Sequence, residues 1–302
     1  MMAANDMEIR ERSRRSYLTF EAREDNTSVT WTHAGATTSF MWPIQVSTDG
    51  GTTWAEVAPT TEGATLATIN KGQKIIVRRD SAYGFMGSNA LYNYFGSDKD
   101  VYVYGNIMSL IWGDNFISHS DLRGRYQFGK LFYGMSTLLT DPKLGLIILP
   151  ATGNHVTYPY AYDEMFNGCA KMTIEAVMPE GLVLGTQTCY GMYWRCSALR
   201  RAHLKFSVIG SYGCASMFTL SGLEEIIIED AALSDYGLRM ALRLCPDLKK
   251  VTSLLTDISA TNCLQNWMSI VAASGTFIKP SSVIYPSGAS DIPAGWTVQN
   301  LV

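Results

Sequence analysis

Between residues 131 and 254 the chain repeats itself. Met172, Leu199, Leu223 and Leu248 each end a short apolar module, and they stand 27, 24 and 25 residues apart. Three positions before these anchors are Cys169, Cys196, Leu220 and Cys245. Six before are Phe166, Tyr193, Met217 and Leu242, and seven before are Met165, Met192, Ser216 and Ala241. An earlier copy ends at Leu138, with Met135, Phe132 and Leu131 at the same offsets, 34 residues ahead of Met172. Apolar columns returning at a period of about 25 residues predict a solenoid. One unit of that size cannot bury its apolar face alone, so neighbours must stack. The residues between the columns then form a broad surface, which favours recognition over a single deep site.

Within a unit, Met165, Phe166, Cys169 and Met172 fall at helical spacing, while residues 204–208 and 223–228 have strand character. Each unit is therefore predicted to be a short helix or helical turn followed by a strand, with the strands stacked in parallel. Such stacking satisfies strand backbone groups between units and leaves only the two ends to be capped.

Ahead of the repeats the pattern is β. Segments 17–22, 28–31, 43–47, 54–57, 64–69 and 74–78 read as short strands, with Asp49-Gly50 marking a hairpin turn. They predict an N-terminal β-sandwich over 17–105, preceded by an arm at 1–16. The solenoid then takes 106–256 and a C-terminal cap 257–302. Residues 80–100, rich in Gly, Ser, Asn and Tyr, read as a loop. The fold class is thus mainly β with short helices.

A hydrophobic content of 47% with 17% charged residues supports a large core and excludes disorder. The net charge of −3 offers no basic face for nucleic acid. The basic cluster Arg10, Arg12, Arg14 and Arg15, interleaved with Glu8 and Glu11, reads as a solvated helix or a segment docking onto a larger assembly. All six cysteines lie in the C-terminal half, three of them in a repeat column, where they act as small buried hydrophobes. No secretory h-region appears in residues 1–26, and no apolar run is long enough to span a membrane.

Catalytic and metal motifs are lacking. His33, His119, His155 and His203 have no metal-ligand spacing, no CxxC pair occurs, and no cofactor is expected. Ser47-x-Asp49-x-Gly51-x-Thr53-Trp54 matches the Asp-box of sialidases and other β-propellers, but it occurs once, as expected of a hairpin staple. Asp163 with Glu164, and Glu224 with Glu225, are adjacent and point in different directions. Aromatic side chains offer more. Tyr158, Tyr160 and Tyr162 alternate and would share one face of an extended segment, and Tyr92 and Tyr94 lie in the Gly-rich stretch. Such rings pack over the repeat core or cover a domain junction, or, where exposed, stack on sugar rings or anchor protein partners.

The modules Met165-Phe166-Asn167-Gly168-Cys169-Ala170-Lys171-Met172 and Met192-Tyr193-Trp194-Arg195-Cys196-Ser197-Ala198-Leu199 resemble the F-x-x-C-x-x-L core of BspA-type leucine-rich repeats. The unit ending at Leu223 is one residue short, with Leu220 where the cysteine is expected. The ending, with Asn266-Trp267, Ser274-Gly275-Thr276-Phe277 and Ile292-Pro293-Ala294-Gly295-Trp296, is similar to that of such proteins from gut Bacteroidales and their phages. The N-terminal Leu18-Thr19-Phe20-Glu21-Ala22 and the hairpin around Asp49 resemble their β-domain. The resemblance implies a surface-recognition protein: a head or tail fibre or decoration in a virion, or an adhesin on a bacterial surface. Without a signal peptide, the virion is the expected location. Its partners would be other virion proteins through the N-terminal region and a host-surface glycan or protein. A homo-oligomer is expected, without membrane insertion. A carbohydrate-active enzyme is the remote alternative.

Overall fold

The computed structural model describes residues 4–81, 83–150 and 158–301. It is mainly β; the described residues include two α-helices, α1 (Ala4–Arg14) and α2 (Ser109–Trp112), and a 3-10 helix at Gly113–Ser118. The first nine strands are β1 (Leu18–Ala22), β2 (Thr27–Ala34), β3 (Ile44–Ser47), β4 (Ala55–Val57), β5 (Ala64–Ile69), β6 (Lys74–Arg78), β7 (Met86–Ser88), β8 (Leu91–Ser97) and β9 (Val101–Asn106). They form two antiparallel arrays, β9-β1-β6-β3-β4 and β5-β2-β8-β7. The arrays meet through buried rings. Phe20 of β1 lies 4.8 Å from Phe95 of β8, which in its own array packs 4.5 Å from Trp31 of β2.

The stretch expected as a loop at 80–100 instead contains β7 and β8, and β8 pairs with β2 over six residues from Val29↔Ser97 to Ala34↔Tyr92. Asn93 and Phe95 point inward and are buried, while Tyr92 and Tyr94 point outward. Glycine and asparagine obscured this alternation in the sequence, because neither residue has a strong strand preference.

The Asp-box hairpin joins β3 to β4. Ser47 Oγ donates to Asp49 Oδ1 at 2.7 Å and accepts the Gly51 N–H at 2.9 Å. Asp49 accepts the Thr53 N–H at 2.9 Å and the Thr53 hydroxyl at 2.7 Å, which holds its carboxyl well below the usual range. Trp54 Nε1 returns to Gly51 O at 3.0 Å. The motif is a staple for the turn. Ser47→Ala is expected to lower stability by about 1 kcal/mol, since it removes the acceptor of the half-buried Gly51 N–H and the donor to Asp49; urea unfolding checks this.

The array continues into the repeats. β10 (Leu138–Leu139) and β11 (Ile147–Ile148) pair with β9 in parallel, so one sheet crosses the boundary expected at 105/106. Beyond it, β12 (Leu182–Leu184), β14 (Phe206–Ile209) and β16 (Ala232–Leu233) form one parallel ladder. A second parallel ladder, in the order β13-β15-β17-β18-β19, comprises β13 (Arg201–Leu204), β15 (Glu225–Ile228), β17 (Lys250–Ser253), β18 (Gly275–Lys279) and β19 (Trp296–Asn300). The result is a β-solenoid, as the repeat period requires.

The predicted helix in each unit is not formed. Segments 126–134, 160–168, 187–195, 212–220, 236–244 and 262–270 are runs of tight turns, with a positive φ at every fourth residue. The positions are Tyr126, Lys130 and Gly134, then Tyr160, Glu164 and Gly168, and so on to Asn262, Asn266 and Ile270. Spacing of four mimics a helix in sequence, but the left-handed residues flatten the chain. Amide groups alternate in direction. Leu131 N–H closes a turn on Phe128 O at 3.2 Å, whereas Phe132 N–H reaches Met165 O in the next module at 2.9 Å. The same pattern recurs at Phe166 to Met192 O, Tyr193 to Met217 O, Phe218 to Ala241 O and Leu242 to Trp267 O, all within 2.8–2.9 Å. These bonds offset a left-handed cost of about 1–2 kcal/mol per non-glycine residue.

Two assignments in the short unit shift. Phe218, not Met217, fills the aromatic column, and Ser221, not Leu220, fills the cysteine slot; Leu220 is 40% exposed. The deletion falls after that slot, where Gly222 passes so close to the previous unit that a Cβ would lie 2.0 Å from Ser197 O. The cap expected from 257 begins instead with another module, 262–270, whose Leu264, Trp267 and Met268 are buried in the repeat columns. It lacks the cysteine and leucine that mark the others. All six cysteines are free and buried. Cys169, Cys196 and Cys245 donate their thiols to Phe132, Phe166 and Phe218 carbonyls at 3.2, 3.2 and 3.0 Å.

Candidate functional site

The turn modules expose a face whose side chains are set by the left-handed positions. The first of these in each module lines up along the stack. Tyr126 stacks on Tyr160 at 4.5 Å, and the Arg125 guanidinium lies 5.6 and 5.5 Å from the two rings. Farther along, Tyr212 stacks on Tyr236 at 4.7 Å. The module spacing in a parallel stack is that of adjacent strands, so residues in one column necessarily meet ring to ring. Only Tyr160 of these four was singled out from the sequence. Tyr126, Tyr212 and Tyr236 each stand eight residues before the last left-handed residue of their module, a register that the apolar anchors alone do not reveal.

The expected row Tyr158, Tyr160 and Tyr162 does not form. Tyr158 is half-buried against the core. Tyr160 faces outward with φ 63°, while Tyr162 is fully buried and stacks at 6.1 Å on Phe128. The segment turns at Tyr160 rather than extending, so alternate residues part company. Tyr162 is core.

Tyr92 and Tyr94 lie on the outer face of β8, ring to ring at 5.6 Å, and Tyr133 meets Tyr92 edge-on at 5.7 Å. Lys130 Nζ sits 4.9 Å from the Tyr92 ring and 4.8 Å from Tyr133, and pairs with Glu164 at 3.2 Å. Burial, with Tyr133, Tyr94 and Glu164 nearby, pushes the Tyr92 hydroxyl up to about 12, so it stays a neutral donor. Lys130 and Glu164 occupy the column beside Tyr126 and Tyr160. The two tyrosine groups thus border one another on the turn face.

The basic cluster is partly engaged within the fold. Arg12 donates to Lys143 O at 2.9 Å and Leu144 O at 3.1 Å, and Arg15 pairs with Glu11 at 2.8 Å. Leu146 N–H reaches Ser13 Oγ at 2.9 Å, so α1 is a docked helix rather than a free arm. Arg10 lines a cleft of about 210 Å³ with Glu175, Glu180, His203 and Lys205, and Arg14 lines a neighbouring one. Glu175 accepts the His203 N–H of β13 at 3.1 Å, and burial pushes its carboxyl up to about 8 against the opposing pull of that N–H, Lys205 and Arg10. The His203 ring pairs with Glu229 at 2.7 Å.

Among the described residues, no group of three or more His, Cys, Asp or Glu is placed to hold a metal ion. His33 is buried against Asn93 and Thr37 O, His119 stacks on Trp112 at 3.7 Å, and His155 lies outside the described residues. No described helix is long and apolar enough to cross a membrane. The open face of the second ladder carries a line of charges unnoticed in the sequence: Glu225 pairs with Lys250 at 2.6 Å and with Arg201 at 3.9 Å. No protein-family model matches the chain, and no curated protein or solved structure shows significant similarity to it.

Proposed function

We propose that this chain is a non-enzymatic surface-recognition protein of a phage virion, a head or tail fibre or decoration. On this reading the two N-terminal arrays are a β-sandwich that attaches to other virion proteins, aided by Arg10, Arg14 and Arg15. The repeats are BspA-type leucine-rich repeats that present the turn face to a host-surface glycan or protein. The observation that carries the reading is the stacked pair Tyr126–Tyr160 with Arg125 beside Tyr92, Tyr94 and Tyr133. Flat rings backed by a rigid ladder suit pyranose stacking and cation–π contact, at a low entropy cost. A shallow surface binds weakly in single copy and gains through multiple display. A bacterial surface adhesin of the same architecture is the competing identity, and purified virions separate the two: the protein is present in virions on the first reading and absent on the second.

The Tyr126→Ala, Tyr160→Ala double variant is expected to lower multivalent binding to host cells at least about tenfold, because stacked aromatic anchors carry about 1–2 kcal/mol each. Its unfolding midpoint should stay close to that of the parent. Undiminished cell binding would remove the turn face from the proposal.

A further inference from the structure

The parallel ladder has two ends, and they are treated differently. At the N-terminal end, the outward N–H of His203 in β13 is taken by a Glu175 carboxyl oxygen at 3.1 Å, and α1 brings Arg10 to the same cleft. The turn modules are closed at that end as well: Gln127 O and Leu131 O accept from Phe85 and Phe95 at 3.2 and 2.9 Å. At the other end, β19 pairs with β18 from Gly275↔Trp296 to Lys279↔Asn300, and among the described residues no strand pairs with its other edge.

That open edge continues the core. Val298 stands in register with Phe277, which follows Val251, Ile226 and Ala202 across the ladder. Those four are buried, whereas Val298 is 48% exposed. The connection between β18 and β19 covers the core with Val283, Tyr285 and Ile292 but leaves Ile284 outside, 89% exposed. β19, Trp-Thr-Val-Gln-Asn, carries no charge and no proline, the usual devices against edge pairing. Leu301 donates to Lys279 O of β18 at 2.8 Å. By alternation, Thr297 and Gln299 also face β18, and the N–H and C=O of Val298 and Asn300 face away.

We propose that β19 is the contact between two copies of this chain, joined antiparallel about a two-fold axis through Val298. The closed opposite end rules out head-to-tail stacking, which leaves same-edge pairing as the closed, isologous solution. In that register Val298 exchanges both backbone hydrogen bonds with the partner's Val298. The Asn300 N–H meets the partner's Trp296 carbonyl, and the exposed Val298 side chains meet across the axis. The neutral strands bring no like charges together. The contact is small beside the roughly 1,200 Å² of a stable complex, so the dimer is weak and concentration-dependent.

Sedimentation velocity on the full chain from about 1 to 100 μM is expected to show a monomer passing to a dimer. Val298→Pro, which removes an outward N–H without touching the bonds to β18, holds it monomeric with an unchanged far-UV spectrum. A second route does not depend on that variant folding. Paired residues at such a site lie about 5.5 Å apart at Cα, within disulfide reach. Val298→Cys should therefore be linked to its partner by oxidised glutathione at least about tenfold faster than Thr297→Cys, with the six native cysteines buried and silent. A chain that stays monomeric throughout, a trimer, a dimer that survives Val298→Pro, or equal linking at the two positions would each overturn the proposal.

Discussion

Phe166→Ala is expected to cost about 3–5 kcal/mol, the range for truncating a fully buried aromatic side chain. Phe166 is the middle of a continuous stack. Its ring lies 5.3 Å from Phe132 and 5.5 Å from Tyr193, with planes within 3° of parallel in both cases, and Tyr193 passes the stack to Phe218 at 5.5 Å. Removing it opens a cavity in the middle of the stack, between Phe132 and Tyr193, whose backbones are held at fixed spacing by the hydrogen bonds between modules, so the gap closes only in part. The Phe166 backbone carbonyl receives the Cys196 thiol at 3.2 Å, a bond that the alanine variant keeps, so the loss is that of the ring. Guanidinium unfolding should show a large fall in midpoint. Phe166→Leu, which keeps most of the volume, should recover more than half of the loss. A loss below about 1 kcal/mol for the alanine variant would mean that the stack contributes little beyond its backbone ladder.

The second large effect is an unusual dependence on pH. Burial pushes the Glu175 carboxyl up to about 8 and, with the Glu164 carboxylate adding and Lys130 opposing, pushes Asp163 up to about 7. Both groups ionise near pH 4 in the unfolded chain. Between about pH 4 and pH 8 the folded chain therefore holds protons that the unfolded chain has released, and stability falls as pH rises through that window. This is opposite in sign to an ordinary paired carboxylate. Each group lowers stability by about 1.4 kcal/mol per pH unit until its folded value is passed, so the two together should lower it by several kcal/mol between pH 5 and pH 9. Glu175→Gln keeps an oxygen for the His203 N–H and removes one of the titrations, so its unfolding free energy should exceed the parent's at pH 9 and match it more closely at pH 5. Urea unfolding across the range checks this; a variant with the parent's slope would show that Glu175 is solvated.

Several features are legible in the chain itself. The strands at 64–69 and 74–78 were bounded to the residue, because turn residues bracket short apolar runs. The Asp-box was read as a hairpin staple and forms one. The cysteine column was read as buried packing, and its thiols are buried and free. The turn modules were misread for a physical reason. A left-handed residue every four positions gives the same apolar spacing as a helix, so periodicity alone does not separate them. Tyr162 was grouped with Tyr160 for a different reason, an extended reading of the segment that the left-handed turn at Tyr160 breaks, and the sixth module stayed hidden because it has the turns without the marker residues.

By itself the sequence determined that this chain stacks repeated units in parallel, since an apolar column at constant period has no other way to leave water. It also determined what the columns are made of, because burial selects residue type. Tertiary structure alone decided which tyrosines share a face, which end of the ladder is closed by a glutamate side chain, and which edge remains open. Those outcomes depend on backbone direction at single left-handed residues and on contacts between units tens of residues apart. Neither leaves a period in the sequence, because each is settled by the neighbour a residue meets rather than by the residue itself.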